Sequence, residues 1–370
     1  MTVPVTLSFY IARQFTGWVT AMALGLAGLV SMFDFIELLR RSTTKPDATF
    51  GIVSEIAALR LPYIAMQILP FAVLVGGILC FWRLTRSSEL IVARAAGISA
   101  WEFLAAPTAC AFFLGALATC GISPLSSAMF ARAATLEDAY LKGGGGPLDL
   151  TGGQLWLRQA DHAYTPQGVA IIHANGVLLR GKQLTASDVS VFRLDGRDRL
   201  LNRIEATEAT LGPGAWQFQK ARVVQPDQIP GPVNALSLPT DLTVARVQES
   251  FASPDTLSFW QLPGFISLLD RSGFSSIRHR LHFQALMALP LLTATMALVS
   301  AGFSMRPARR GGVAQMIGSG VAAGFMLFLV SKMAEEFGQS GALPVALAAW
   351  APAASGMMLA VALLLHTEDG

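Results

Sequence analysis

Charge is scarce in this chain. Only 14% of its 370 residues are charged, whereas a soluble domain carries about a quarter. The scarcity is uneven. Both ends are nearly free of charge, and the stretch from about 125 to 277 carries an ordinary mix of both signs. This excludes one large soluble globule and predicts a membrane protein with a soluble insertion. A run of Lys and Arg interleaved with aromatics is also missing, and the net charge is only +3, so nucleic-acid binding is excluded. Cysteine is rare as well. Cys80, Cys110 and Cys120 all lie in apolar stretches and none in the insertion. No disulfide framework is implied, and each reads as a small apolar packing residue.

Catalytic constellations are equally thin. Gly176-Val-Leu-Leu-Arg-Gly181-Lys182 imitates a phosphate-binding loop, but Gln183 stands where Ser or Thr is needed for Mg²⁺. The chain is therefore not expected to hydrolyse ATP itself. His279 and His282 are three apart with no further ligand suggested nearby, so they read as interfacial histidines and no metal is expected. Gly320 and Gly324 form a GxxxG element, whose commoner meaning is close helix packing. Ionisable residues mark ion relays inside membranes. Here Asp34, Glu37, Glu102, Lys332, Glu335 and Glu336 all fall near predicted span ends, which speaks against an ion-coupled transporter and an intramembrane protease. No catalytic residue and no cofactor are assigned.

What is abundant is apolar sequence. Hydrophobic residues make up 53% of the chain, and about 20 apolar residues in a row cross a bilayer. Six stretches qualify: 15–36, 61–82, 103–122, 281–303, 313–333 and 343–365. The first is too long for a signal-peptide core and lacks a convincing cleavage site. Arginines in short loops set orientation. The loop 82–101 holds Arg83, Arg86 and Arg94, and the loop 304–312 holds Arg306, Arg309 and Arg310. Both are predicted to face the cytoplasm, with both termini, which places the insertion outside. Arg40, Arg41, Lys45 and Arg60 then also lie outside, against the trend.

The insertion changes period. Trp216-Gln217-Phe218-Gln219 alternates apolar and polar, as do Val189-Ser190-Val191 and, roughly, Val169-Ala170-Ile171. Breakers such as Gly212-Pro213-Gly214 separate the runs. Many short strands without intervening helices predict a sandwich, barrel or jelly roll. Runs 154–158 and 221–224 are candidate edge strands for pairing with a neighbouring sheet. Gly143–Gly146 reads as a flexible joint, and 259–270 as an amphipathic helix. The expected fold is thus a polytopic α-helical membrane protein of six transmembrane helices with an inserted all-β domain outside the membrane. Its parts are 1–124 with three spans and a helix at about 86–97, 125–277 with the β-domain, and 278–370 with three more spans.

Basic residues outside the membrane point to a ligand. Arg40, Arg41 and Lys45 follow the first span, Arg278 and Arg280 precede the fourth, and Arg132 lies beyond the third. Cations at one level suit a multiply phosphorylated, anionic headgroup, because the guanidinium fork binds phosphate bidentately. The acyl chains would lie in an apolar cavity lined by the first and fifth spans and a partner. Snorkelling to phospholipid headgroups is the plainer alternative.

The order of spans, short helix and β-domain resembles the LptF/LptG lipopolysaccharide-export permease family across nearly the whole chain. The most specific stretch is Leu69-Pro70-Phe71-Ala72-Val73-Leu74, with Arg86-Ser87-Ser88-Glu89-Leu90 and Arg94-Ala95-Ala96-Gly97-Ile98-Ser99. Asp34-Phe35-Ile36-Glu37-Leu38-Leu39-Arg40-Arg41 is similar to the LptG branch, although some members have a basic residue where Asp34 stands. The resemblance implies an inner-membrane permease whose inserted all-β domain is periplasmic and jellyroll-like, and which pairs with a second permease, an LptB-like ATPase dimer, an LptC-like bitopic protein and a periplasmic jellyroll bridge. It implies lipopolysaccharide as substrate and Arg86, Glu89 and Arg94 as the ATPase-coupling residues. Two other classes stand beside it. One is a membrane-anchored sensor or envelope-assembly protein whose β-domain binds a partner. The other, a lipid enzyme, lacks a catalytic constellation. Co-purification with an ATPase separates permease from sensor.

Overall fold

The structure, a computed structural model, describes residues 5–43, 45, 48–95, 97–141, 155–161, 168–180, 183–195, 199–225, 231–240, 253–271, 275–304 and 313–368. It divides into two compact units. One comprises residues 1–133, 254–263 and 277–370, the other 134–253 and 264–276. The glycines at 143–146 and the arginines at 306, 309 and 310 lie outside the described residues.

The first unit is helical. Its elements are α1 (Val5–Ser42), α2 (Phe50–Arg86), α3 (Glu89–Ala95) and α4 (Ala100–Leu117), which passes through a π-helical turn (Ala118–Ile122) into α5 (Ser123–Tyr140). After the insertion come a 3-10 turn (Pro254–Thr256), the amphipathic α6 (Leu262–Arg271), most of which belongs to the second unit, as does the end of α5, and then α7 (Ile277–Ser304), α8 (Val313–Gln339) and α9 (Val345–Glu368). Among the described residues five helices are long and apolar enough to cross a membrane: Thr6–Ser42, Phe50–Arg86, Ala100–Tyr140, Ile277–Ser304 and Val345–Leu365. The count is five, not the six expected. The remaining stretch, 313–333, is helical within α8.

Helix α7 is the centre. Two thirds (67%) of its apolar window is buried against 11% for α1, and it packs on α2, α4, α8 and α9. Lipid tails are as apolar as leucine, so burial alone does not bind helices here; small residues and interhelical hydrogen bonds do. A Cβ on Gly76 would lie 2.7 Å from the Val19 Cα, so α1 meets α2 backbone to backbone. The GxxxG pair is used in the same way, because a Cβ on Gly324 would overlap Leu74 of α2. The Thr293 hydroxyl donates to the Ala111 carbonyl (2.8 Å) and Thr295 to the Ala353 carbonyl (3.2 Å), tying α7 to α4 and α9.

The second unit holds one antiparallel sheet. Strands β1 (Leu155–Ala160), β2 (Val169–Arg180), β3 (Gln183–Leu194), β4 (Leu200–Gly212), β5 (Ala215–Val224) and β6 (Asn234–Pro239) each pair with their sequence neighbours. The all-β insertion is as expected. Its described strands form a meander, with no crossover neighbours among them. Trp216 and Phe218 face the core while Gln217 and Gln219 are exposed, so that alternation is read correctly. In β2 the phase is the reverse of the expected one. Ala170, Ile172 and Ala174 are buried, and Val169 and Ile171 are half-buried. With a period of two, a one-residue error exchanges the faces.

Pro213-Gly214 makes the β4–β5 turn, with Gly214 at φ +78°, as Gly at the third position of a type II turn requires. The imitation of a phosphate loop is strand β2, whose Arg180 pairs with Gln183 across the β2–β3 hairpin. Strand β1 is an edge, but 221–224 belongs to β5, between β4 and β6. The Gln159 side chain bonds Thr240 (2.7 Å) and the Pro239 carbonyl (3.3 Å), so the ends of the two edge strands meet. Trp216 is fully buried in this core. Trp216→Ala is expected to cost the β-domain about 3–5 kcal/mol, read in the full chain as faster proteolysis within 155–240 while the helices stay protected.

Candidate functional site

A cavity of about 460 Å³ opens among the helices of the first unit, within the size range of ligand sites. Its walls are apolar: Phe71 of α2, Leu286, Leu289 and Met296 of α7, and Phe325 and Phe328 of α8. The second, fourth and fifth expected spans thus build it. The first span, expected in the wall, contributes no lining residue, because α1 packs on α2 through Gly76. Ser126 and Ser127 of α5 add small polar groups.

Polar side chains gather in the same cavity from four elements. Tyr63 of α2 and Asp255 of the 3-10 turn both line it. The His282 Nδ1 of α7 lies 3.6 Å from an Asp255 oxygen. On α8, Lys332 pairs with Glu335 at 2.8 Å, one turn apart. Sequence reasoning noted Lys332 and Glu335 at a span end and dismissed His282 as interfacial. It missed Tyr63 and Asp255, which no local motif flags. Among the described residues no group of three metal-ligating side chains occurs, and His279 is buried.

The expected headgroup residues are dispersed: Arg40, Arg41, Arg278 and Arg280 stand at helix ends, Arg132 within α5 and Lys45 beyond α1. Arg40 and Arg41, in the last turn of α1, both bond the Glu37 carboxylate, at 2.8 and 2.9 Å. Lys45 follows as a half-buried residue. Arg132 of α5 pairs with Glu55 of α2 at 2.9 Å. Arg278 and Arg280 are exposed in the first turn of α7. Among these, Arg40 and Arg41 share the Glu37 carboxylate. Nearby, Arg60 of α2 bonds Asp34 of α1 at 2.9 Å, and both are largely buried. Asp34 therefore acts as the counter-ion of Arg60, which removes a charge from the run of exposed cations.

Within the stretch 86–97 a short helix forms, from Glu89 to Ala95. A seven-residue helix is marginal alone, so its boundaries are set by the backbone. Ser88 at φ 63° precedes it and Gly97 at φ 83° ends it. The Ile98 N–H returns to the Ala93 carbonyl at 3.2 Å. Ser99 then caps α4 in a capping box with Glu102. This is the physical content of the Gly97-Ile98-Ser99 run. Glu89 opens the helix, where a carboxylate suits the N-terminal dipole, and accepts from the Ser87 hydroxyl at 2.8 Å. Arg86 closes α2, its guanidinium 5.6 Å from the centre of the Trp82 ring. Arg94 belongs to α3, but its side chain lies outside the described residues.

Comparison with known proteins agrees with this architecture. The profile of the lipopolysaccharide export system permease LptF/LptG matches residues 9–366. The permease protein LptG of Escherichia coli K12 is 22% identical over 350 residues, 92% of each chain. LptG of Haemophilus influenzae is 24% identical over 340 residues, 89% of each chain. Both relatives carry the name of the branch that the first-span residues resemble. With nearly the whole chain matched, and with spanning helices on either side of a β-sheet insertion, this protein belongs to the LptF/LptG family of lipopolysaccharide export permeases.

Proposed function

We propose that the chain is the permease subunit of an ABC-type transporter that extracts lipopolysaccharide from the inner membrane and passes it to a periplasmic bridge. The observation that carries this is the apolar cavity among the membrane helices. Acyl chains enter the cavity, and phosphate groups meet Arg40, Arg41, Lys45, Arg132, Arg278 and Arg280. The chain supplies the path. A separate LptB-like ATPase dimer supplies the energy, docking on Arg86, Glu89 and Arg94. A second permease completes the cavity, and an LptC-like bitopic protein joins the β-domain to the jellyroll bridge. In this arrangement residues 1–124 and 278–370 form the inner-membrane part and 125–277 the periplasmic part.

A photo-reactive amino acid at Leu289 or Phe328 tests the path directly. Capture of lipopolysaccharide from the full complex in native membranes is the expected result. Capture of bulk phospholipid alone would overturn the assignment of the cavity.

A further inference from the structure

The polar and apolar residues of the cavity wall are segregated along its length. In α2 Tyr63 precedes Phe71, in α7 His282 precedes Leu289, and in α8 Lys332 and Glu335 follow Phe328. Close approaches at glycines fix how these helices run. A Cβ on Gly338 would meet Leu281, and one on Gly320 would meet Phe303. The end of α8 therefore lies beside the start of α7, and its beginning beside the end of α7. Gly320 also faces Ile78, and Gly324 faces Leu74, so α8 runs opposite to α2 as well. The order of polar and apolar residues in α8 is the reverse of that in α2 and α7. All three helices thus bring polar side chains to one end of the cavity and apolar ones to the other. Asp255 joins the polar end, 3.6 Å from the His282 Nδ1, on a turn that packs on α7.

The polar end carries charge of both signs. Lys332 supplies an ammonium group, and Asp255 and Glu335 supply two carboxylates. Lys332 lies 2.8 Å from Glu335, with 49% and 33% of the two side chains exposed. An ion pair this open is weak in itself, so both members can turn to a ligand. A headgroup that is only a phosphate finds Lys332 but also faces the two carboxylates. A headgroup that joins a phosphate to an ammonium satisfies both signs. The phosphate meets Lys332, and the ammonium meets Asp255 and Glu335 through charge-assisted hydrogen bonds. The attached acyl carbons continue toward Leu289 and Phe328 at the apolar end.

We infer that this cavity is a binding site for a zwitterionic phospholipid with a primary ammonium in its headgroup, as in phosphatidylethanolamine. Phosphatidylglycerol has the same phosphate but brings no cation to Asp255, so the site discriminates against it. The inference rests on the reading that the cavity accommodates lipid, and adds the headgroup chemistry that its polar end selects. Lipopolysaccharide, whose acyl chains enter the same space, displaces the phospholipid.

The test uses the full chain with a photo-reactive phenylalanine analogue at Phe328, in nanodiscs of equal parts phosphatidylethanolamine and phosphatidylglycerol. Captured lipid is identified by mass. Phosphatidylethanolamine is expected to exceed phosphatidylglycerol roughly tenfold, the effect of one hydrogen bond to a charged group. Asp255→Asn keeps the shape of the side chain and removes its charge, and is expected to bring the ratio close to one. Glu335→Gln leaves Lys332 without its carboxylate partner on α8 and is expected to shift the ratio toward phosphatidylglycerol. If Asp255→Asn does not fold, Glu335→Gln decides alone. Equal capture of the two lipids by the parental chain overturns the inference, and so does a parental ratio in a folded variant. Lipopolysaccharide is then added to the parental nanodiscs. Failure to displace captured phosphatidylethanolamine would count against the cavity as the lipopolysaccharide path, and would leave the headgroup selectivity standing.

Discussion

Replacing Arg40 and Arg41 together by Glu is expected to abolish lipopolysaccharide export and to strip the purified complex of bound lipopolysaccharide. The two guanidinium groups stand in the last turn of α1, exposed to 73% and 53%, and share the Glu37 carboxylate. Glu37 orients both forks along one side of the helix and leaves the trio with a net charge of +1. An incoming phosphate has further charge-assisted bonds to make there. In the double variant three carboxylates crowd one turn, so attraction becomes repulsion. The loss therefore exceeds that of the Arg40→Ala, Arg41→Ala pair, which merely leaves Glu37 unpaired. Glu37→Gln in the double-Glu background removes one of the three charges and should restore part of the retention. Membrane insertion and ATPase co-purification are expected to stay at the parental level, because neither arginine packs in the buried cluster of helices. Parental lipopolysaccharide retention in the double-Glu variant would show that these arginines only snorkel.

Glu89→Lys is expected to detach the ATPase or uncouple its turnover from export, leaving the helical unit folded. Glu89 heads a helix of seven residues, held between two residues with left-handed backbone. The substitution takes a carboxylate from the positive end of the helix, removes one of three acceptors within reach of the Ser87 hydroxyl, and presents a cation instead. Val92 is 66% exposed on the same helix and offers an apolar contact beside the charge. In the proposed orientation this surface faces the nucleotide-hydrolysing partner, and a charge-assisted bond from Glu89 anchors it. Glu89→Gln separates the two contributions. It keeps an acceptor for Ser87 and removes only the charge, so it should weaken stimulated ATP turnover less than Lys does. Assembly and stimulated turnover that both survive Glu89→Lys would refute the docking role.

The features legible in the sequence are those set by short-range rules. Apolar length marks the spans, so α1, α2, α4, α7 and α9 stand where hydropathy places them. The alternation at Trp216–Gln219 and the Pro213-Gly214 turn are local backbone chemistry, as is the Gly97-Ile98-Ser99 break between α3 and α4. Even the Glu37 bonds to Arg40 and Arg41, three and four residues apart, follow from helical spacing. Strand phase was harder. Val169, Ala170 and Ile171 are all apolar, and only pairing with β1 and β3 decides which of them faces the core.

The tertiary structure alone decided the pairings between helices. Arg132 finds Glu55 across 77 positions and Arg60 finds Asp34 across 26. Tyr63, Asp255, His282, Lys332 and Glu335 meet in one cavity from distant parts of the chain. The reason is the solvent. In a soluble helix, water outside and core inside imprint an apolar stripe that tells which face packs. In a bilayer both sides are apolar, so the stripe is erased and close contacts of small residues choose the neighbours. Gly76 against Val19 and Gly324 against Leu74 place α1 behind α2 and α8 beside it. That packing, invisible to hydropathy, determines that the cavity lies among α2, α7 and α8.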